Sequence, residues 1–471
     1  MRSDAWMPAW NHEGRCPSFV TNTTLEEEFH QKKTEEFSIG MSLYASQFSL
    51  RYLMLKSRRW GNTPATDVIN LANNEKNEKK DFSLAFIGAS TVILRSWFHP
   101  PESSLVASGD LRHVLSTVNG LPPTYLGRLT ILLNDINPVI VCRNILLLLI
   151  LGNIPDKVVA ADVALHFWYS AFIPLEYHLQ ISQLLLEFLM KTKDGEIIVP
   201  LGPCSTLSFC LPEKASYLFG HLISSSISMG EAQEEYDRVR NAPARGDFRD
   251  RMYARLNPSQ RVAFQEYRRF GIVLPFGAMN AHLTPQTFPS FHPRESGCKR
   301  TSQTHSPDGS KFIILSRVIT LLKYSSVNAV IQTGKAHGAH PEDIYGCLYF
   351  FLSEQLRMCA QRICKIKMSF SLFASDARLL PKGIHEGLIS ECGIPPSIRF
   401  DRIEVSNIFD ANYVGINDVL LNWSPFMAEG NASVIVGYFM NWFAIQEGSR
   451  AQNTSKNITL SIMRRVIEKR W

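Results

Sequence analysis

Two carboxylates stand three residues apart in the run Asp401-Arg402-Ile403-Glu404. A carboxylate can take up a proton or anchor an ammonium group, and its two oxygens can bind a guanidinium group in bidentate fashion. The surrounding run, Ile398–Ser406, is typical of a strand. On a regular strand, positions three apart face opposite sides of the sheet, so both acids reach one pocket only if Asp401 lies in the preceding loop or at a bulge. The alternative is a strand-edge Asp and a surface Glu.

A third acid, Asp135, ends a second apolar run that begins at Leu129 and is predicted to be a strand. Asn137 then predicts a helix N-cap, with Pro138 at the first helical position and the helix continuing to Gly152. Such an acid at the end of a strand can bind the hydroxyl groups of a ribose.

An earlier apolar run, Leu84–Ile87, predicts a strand that stops at Gly88, and Gly109-Asp110 predicts the start of a helix. Residues 91–108 separate the two. Without this insertion the sequence would run from strand through a tight, small-residue turn into a helix, which is the usual start of a nucleotide-type βαβ unit. The insertion is therefore the main departure from that pattern.

The segment Asp237–Phe270 is the most basic part of the chain. It contains nine arginines, at positions 238, 240, 245, 249, 251, 255, 261, 268 and 269. Two interpretations stay open: a solvated pair of helices with many ion pairs, or a surface that follows the phosphates of a nucleic acid.

The composition predicts a folded protein without a membrane span. The 471 residues are 45% hydrophobic and carry a formal charge of +6, which permits a polyanionic partner without requiring one. The nine cysteines include no C-x-x-C pair, so we expect reduced thiols in a cytoplasmic protein and no zinc finger. The most apolar run, Ile145–Leu151, is far too short to cross a bilayer.

The pattern along the chain predicts four parts: a loose leader at 1–40, an α/β part at 41–283, a flexible loop at 284–310, and a C-terminal part at 311–471 that completes the sheet. Within the last part, Met368–Leu380 is predicted to be helical. The apolar run Ala432–Met440 is predicted to be a central buried strand.

Three motifs carry a resemblance to a known domain: Gly109–Leu115, Leu133–Pro138 and Arg143–Leu148, with Gly61–Ala65 also fitting. The chain resembles the uncharacterised domain found at the N-terminus of dynein axonemal assembly factors and in many fungal proteins. That domain is similar to class I S-adenosylmethionine-dependent methyltransferases. The resemblance implies a Rossmann-like α/β fold with a mostly parallel sheet and helical insertions.

A narrower resemblance concerns Asp401–Glu404, which is similar to the D-x-x-E motif of the fungal arginine-containing cyclodipeptide synthases. This resemblance implies a tRNA-dependent enzyme of secondary metabolism that condenses arginyl-tRNA with a second aminoacyl-tRNA to an arginine-containing diketopiperazine, without a cofactor. Glu404 and Asp401 would then be catalytic. The substrate would be bound by Gly109, Asp110, Arg112, Asp135 and Asn407, and the tRNA by Arg249, Arg251, Arg255 and Arg261.

Two alternatives remain. In a methyltransferase, Gly109 would lie beneath S-adenosylmethionine, Asp135 would bind its ribose, and Asn407 or Asp410 would lie near the substrate. In a non-catalytic assembly factor the same acids would be helix caps and structural partners. The spacing of the histidines, including His113, indicates core or surface residues rather than a catalytic set.

Overall fold

The computed structural model describes residues 65–88, 111–193, 198–210, 219, 236–237, 253–254, 256–278, 287–289, 327–411, 413–430, 432–440 and 455–468. Two compact units are present. One includes Asp162–Gln183 and His221–Glu354, and the other includes Lys56–Ala161, Leu184–Gly220 and Gln355–Trp471. The expected leader at 1–40 and most of the expected loop at 284–310 lie outside the described residues.

The strands and helices of the described residues are numbered here in chain order. The strands are β1 (Phe82–Ile87), β2 (Leu129–Asn134), β3 (Phe172–Pro174), β4 (Ile198–Leu201), β5 (Ser205–Cys210), β6 (Thr287–Pro289), β7 (Met368–Phe373), β8 (Arg402–Glu404) and β9 (Val434–Val436). The helices are α1 (Arg112–Gly120), α2 (Pro138–Asn153), α3 (Lys157–Tyr169), α4 (Leu175–Lys193), α5 (Pro258–Phe270), α6 (Val327–Ala336), α7 (Ile344–Lys365), α8 (Leu380–His385), α9 (Ile416–Trp423) and α10 (Lys456–Glu468).

The second unit contains a seven-stranded sheet in the order β4-β5-β7-β2-β1-β8-β9. All neighbouring strands are parallel except β4, which forms an antiparallel hairpin with β5. The α/β, Rossmann-like fold expected from the sequence is therefore confirmed. After β1 the chain continues to β2 on one side, and after β8 it continues to β9 on the opposite side. The neighbouring strands β1 and β8 therefore flank a topological switch point. In sheets of this kind, ligands bind in the crevice outside the carboxyl ends of the strands at that point.

The local signals in the first half of the sheet are confirmed. β1 and β2 are almost fully buried, as continuous apolar runs in a parallel sheet should be. The Asn137 side chain caps α2 by accepting a hydrogen bond from the Val139 amide at 3.0 Å, and Pro138 occupies the first turn. Helix α2 is buried along nearly its whole length, which explains its apolar sequence.

Two predictions for the C-terminal part are wrong. Met368–Phe373 is a strand, β7, paired with β2 and β5, because its first four residues alternate between apolar and serine side chains and fit a buried sheet position. The run at 432–440 contains only the short strand β9. It lies at the edge of the sheet with half-exposed side chains instead of at the centre.

The first unit contains α5, α6, the antiparallel pair β3–β6 and a small core formed by Ala171, Phe172, Tyr236, Ile272 and Leu274. Asp343 closes a loop there, because its carboxylate accepts hydrogen bonds from the Phe276 amide at 2.9 Å and the Gly346 amide at 2.8 Å. Burial raises the pKa of Asp343 above its ordinary value, although these hydrogen bonds oppose the shift.

Candidate functional site at the carboxyl ends of the strands

Glu404 is the last residue of β8 and lies beside Phe86 of β1, at the carboxyl end of the sheet. Its side chain is only 1% exposed. One carboxylate oxygen, Oε1, accepts a hydrogen bond from the backbone amide of Ser406 at 2.8 Å. The predicted catalytic residue Glu404 therefore lies at the switch point, with its orientation fixed by the next turn of its own chain.

Ser406 has a left-handed backbone, with φ at +49°. This conformation is uncommon for a residue other than glycine, and strained residues of this kind cluster at ligand-binding and catalytic sites. The turn directs the Ser406 carbonyl to the Tyr438 amide, which donates a hydrogen bond at 2.6 Å. The sequence gives no sign of this turn, because no glycine or asparagine occupies the position.

The loop after β8 is bound to the loop after β9. Asp410 is 1% exposed and its Oδ2 accepts a hydrogen bond from the Met440 amide at 2.9 Å, while the rings of Phe409 and Phe439 stack with centroids 5.6 Å apart. A methyl group at Gly437 would collide with the Phe409 side chain, so this close approach of the two loops requires glycine. Asn407, predicted to bind substrate, is also buried in this loop.

The segment that begins at Ala65 passes along α1 and reaches the same end of the sheet. The Thr66 amide donates a hydrogen bond to His113 Nδ1 at 3.2 Å, and the Thr66 hydroxyl is 2.8 Å from the Tyr438 hydroxyl. Sequence reasoning missed Thr66, Ser406 and Tyr438 and assigned His113 to the core or surface. Among these residues, only His113 lies in a motif that resembles a known domain, Gly109–Leu115, and Thr66 directly follows another, Gly61–Ala65.

Asp135 follows β2 at the carboxyl end, as predicted, and is 1% exposed. Its Oδ1 accepts a hydrogen bond from the Asn137 amide at 2.8 Å, which shapes the turn into α2. The neighbouring Asn134 links β2 to the end of β7 by donating to the Ser375 carbonyl at 2.9 Å and accepting from the Ser375 amide at 3.1 Å. Arg112, the first residue of α1, is also buried. Gly109 and Asp110 lie outside the described residues.

Asp401 lies at the opposite end of β8. Its carboxylate forms an ion pair with Lys80 at 2.9 Å and accepts a hydrogen bond from the Ser83 amide at 2.9 Å, near the start of β1. With a rise of about 3.3 Å per residue, roughly 10 Å of strand separates it from Glu404. As the sequence analysis required, Asp401 lies in the loop before the strand. That loop, however, is at the amino end of β8, away from Glu404. The structure therefore does not bring the two acids of the D-x-x-E motif into one pocket.

A charge network surrounds Asp401, with the buried side chain of Arg402 at its centre. The Arg402 guanidinium, 2% exposed, donates hydrogen bonds to the carbonyls of Val68, Asp401 and Ala432 and to Glu75 Oε1 at 2.7 Å. Lys80 Nζ lies 3.3 Å from the same Glu75 oxygen. Burial alone would raise the pKa of Glu75, but the hydrogen bond and charge of Arg402 and the hydrogen bond of Lys80 hold it below its ordinary value.

Of the four arginines predicted to contact tRNA, Arg249, Arg251 and Arg255 lie outside the described residues. Arg261 is on α5 in the first unit. Its Nε donates to the Leu256 carbonyl at 2.9 Å, and its guanidinium lies 5.7 Å from the centre of the Tyr253 ring. These contacts hold the guanidinium group against its own segment of chain.

Within the described ranges, no group of three or more His, Cys, Asp or Glu side chains is arranged to hold a metal ion. In the same part of the chain, no helix is long and apolar enough to cross a membrane.

No curated protein and no solved structure matches the chain significantly. Residues 59–173, which include β1, α1, β2, α2 and α3, match the model of a domain of unknown function, DUF4470.

Proposed function

We propose that this protein is a tRNA-dependent cyclodipeptide synthase that condenses arginyl-tRNA with a second aminoacyl-tRNA to an arginine-containing diketopiperazine. One observation carries the proposal: the buried carboxylate of Glu404 lies at the carboxyl end of β8, beside the switch point where α/β sheets bind their ligands. The proposal puts the protein in the cytoplasm, where aminoacyl-tRNAs are available.

The reaction makes modest chemical demands. An aminoacyl-tRNA ester is already activated, so the protein mainly has to hold an amine against a carbonyl and manage one proton. The Glu404 carboxylate is suited to anchor an α-ammonium or guanidinium group, because a buried carboxylate attracts a cation far more strongly than an exposed one. Its hydrogen bond from Ser406 keeps it in one orientation.

Asp401 has a different part in this proposal from the one that the sequence motif implied. Its carboxylate is engaged with Lys80 and the Ser83 amide at the amino end of the sheet, on the far side from the crevice. These contacts favour a role in stabilising β8. We therefore assign the chemical role to Glu404 at the carboxyl end of β8 alone, and not to Asp401 and Glu404 acting as a pair.

A tRNA partner is supported by charge alone. The chain carries a formal charge of +6, and nine arginines fall within residues 237–270. Contacts to phosphates release counterions, so tRNA binding should weaken as salt is raised.

The proposal is tested by expressing the full chain in a heterologous host and analysing extracts by mass spectrometry. We expect an arginine-containing diketopiperazine from the wild type and none above background from Glu404→Gln, which preserves size and the acceptor for Ser406. Glu391→Gln, an exposed change elsewhere in the same unit, should leave the product unchanged. A wild-type extract without such a product, at normal protein levels, would contradict the proposal.

A second candidate, an S-adenosylmethionine-dependent methyltransferase, is favoured by Asp135. This acid directly follows β2, the strand next to β1, in a parallel block β7-β2-β1-β8-β9 of Rossmann type. Calorimetry should then detect S-adenosylmethionine binding that Asp135→Ala abolishes and Asp418→Ala, an exposed control on α9, retains. Absence of binding to the wild type would remove this candidate.

A further inference from the structure

Two cysteines lie together at the carboxyl end of β5, although they are far apart in the sequence. Cys210 is the last residue of the strand and is exposed. Cys392 is buried at the end of the short 3-10 helix Ser390–Cys392, which packs against β5. The proposed function uses neither thiol. Because the sequence contains no C-x-x-C pair, only the fold brings these two cysteines together.

The main chain of Cys392 is fixed over one face of the sheet. Its carbonyl accepts hydrogen bonds from the hydroxyl of Ser208 on β5 at 2.7 Å and from the hydroxyl of Ser371 on β7 at 2.8 Å. Ser208 and Ser371 are partners in the parallel pairing of the two strands, so their side chains point to the same face of the sheet. Cys392 therefore lies on that face.

The side chain of Cys210 is directed to the same face. Successive side chains of a strand alternate between the two faces, so Cys210 shares its face with Ser208 and not with Phe209. Cys392 Sγ lies 3.8 Å from the carbonyl oxygen of Phe209 and donates a weak hydrogen bond to it. Since the Phe209 carbonyl carbon is bonded to the Cys210 nitrogen, the Cys392 sulfur lies within reach of the Cys210 side chain.

The two thiols differ in how easily they react. Burial, followed by the negative charges of Cys210 and Glu391, raises the pKa of the Cys392 thiol to about 11. Cys392 therefore stays protonated at neutral pH and is shielded from solvent, whereas solvent reaches Cys210. In a reaction with an oxidant, the exposed cysteine should react first and the buried cysteine second.

We propose that Cys210 and Cys392 form a peroxide-sensitive thiol pair, which hydrogen peroxide converts into an intramolecular disulfide. This inference goes beyond the proposed function and does not depend on it. The disulfide joins the 3-10 helix to the end of β5, and a thiol reductant restores the two free cysteines.

The reaction takes place in two balanced steps. The Cys210 thiolate attacks one peroxide oxygen, so that an S–O bond forms, the O–O bond breaks, and the leaving hydroxide takes up a proton to become water. The Cys392 sulfur then attacks the sulfur of the Cys210 sulfenic acid. An S–S bond forms, the S–O bond breaks, and the leaving hydroxide departs as water with the proton of Cys392. Two thiols are thus oxidised and one peroxide is reduced to two waters.

The test uses full-length protein that is first reduced and then treated with one molar equivalent of hydrogen peroxide under native conditions. Remaining thiols are alkylated, the protein is digested without a reductant, and the peptides are identified by mass spectrometry. We expect a cross-linked peptide that joins Cys210 to Cys392 and is released by dithiothreitol. A sample oxidised in urea is the control for the fold. There the preference for this pair should be lost, because the nine cysteines then have no fixed neighbours.

Two single variants separate the roles of the cysteines. In Cys392→Ser the cross-link should be absent, and Cys210 should accumulate as a sulfenic acid that dimedone labels. In Cys210→Ser the remaining Cys392 should react with peroxide at least about 10-fold more slowly than Cys210 does in Cys392→Ser, because its thiolate is scarce. Cys204→Ser, an exposed change in the turn between β4 and β5, is the matched control and should form the cross-link as the wild type does.

Native wild-type protein in which peroxide yields no peptide joining Cys210 to Cys392 would overturn the proposal. A cross-link from Cys210 to a different cysteine, in equal or higher yield, would overturn it as well. Both outcomes are measured on the wild type, so they decide even if Cys392→Ser does not fold. None of these measurements involves diketopiperazine formation, so a failure here is distinguishable from a failure of the proposed function.

Discussion

The two ends of β8 differ in how their polar groups are held, although the strand is only three residues long. At the amino end, charged side chains neutralise one another: Arg402 pairs with Glu75, and Lys80 pairs with both Glu75 and Asp401. At the carboxyl end, Glu404 is held by a backbone amide in a strained turn. The contacts at the amino end stabilise the strand, and our proposal assigns ligand binding to the carboxyl end.

This comparison changes the meaning of the D-x-x-E run. As a sequence motif it indicates two acids acting together, yet the strand between them directs Asp401 towards Ser83 and Glu404 towards the switch point. Substitutions at the two ends should therefore have different consequences. Those at the amino end should lower stability, and those at the carboxyl end should affect activity.

The largest loss of stability is expected from Arg402→Met. It removes a buried guanidinium that donates hydrogen bonds to the carbonyls of Val68, Asp401 and Ala432. Each buried acceptor left without a donor costs about 1–3 kcal/mol, so we expect a total loss of about 3–5 kcal/mol. Urea unfolding of the sheet unit, followed by tryptophan fluorescence, would measure the free energy of unfolding. Arg399→Met, an exposed change three residues earlier, should cost less than about 0.5 kcal/mol. A loss below about 1 kcal/mol for Arg402→Met would show that the network does not stabilise the strand.

A smaller effect, with a defined pH dependence, is expected from Glu75→Gln. Hydrogen bonds to charged groups are worth about 1.5–3 kcal/mol, so we expect a loss of that size at neutral pH. Because the pKa of Glu75 is lowered in the folded protein, its contribution is fully present above the ordinary value of 4.5 and is lost as pH falls through the folded value.

The free energy of unfolding of the wild type and Glu75→Gln, measured from about pH 7 to about pH 3, should therefore converge at the acid end. Glu391→Gln, at an exposed position, should show no such convergence. A difference between wild type and Glu75→Gln that stays constant across this range would mean that the charge of Glu75 is not what stabilises the network.

The smallest expected effect concerns the strained turn at the carboxyl end. At Ser406 the backbone is left-handed, so Ser406→Gly should be more stable than Ser406→Ala by about 1 kcal/mol. At Ser369 in β7, a position with ordinary strand geometry, the order should reverse. Thermal unfolding of the four variants would measure both differences. The same order at both positions would indicate that Ser406 is not strained.

The sequence predicted those parts of the fold that depend on neighbouring residues. The apolar runs that form β1 and β2, and the Asn137-Pro138 start of α2, are local signals. The helix predicted at Met368–Leu380 is wrong because the alternation that marks β7 covers only its first four residues, which is the shortest length at which a strand pattern can be read. The edge position of β9 depends on strand order, which no local pattern encodes.

The candidate site was predictable in the same partial way. The placement of Asp135 follows from its position at the end of the predicted strand. Glu404 lies two residues before the end of the predicted strand Ile398–Ser406, whereas β8 itself ends at Glu404. The contact between Thr66 and His113, 47 residues apart, and the left-handed backbone of Ser406 depend on tertiary structure. For the same reason the spacing of Asp401 and Glu404 could not reveal that they serve opposite ends of the sheet.

The most direct test compares Asp401→Asn with Glu404→Gln in purified full-length protein, measuring the rate of diketopiperazine formation and the free energy of unfolding. Glu404→Gln should lower the rate about 100-fold or more and change stability by less than about 1 kcal/mol. Asp401→Asn should lose about 1–3 kcal/mol of stability and keep the rate of the folded protein within about threefold. If Asp401→Asn were fully folded and as inactive as Glu404→Gln, the two acids would act together, and the division of β8 into a stabilising end and a reactive end would be wrong.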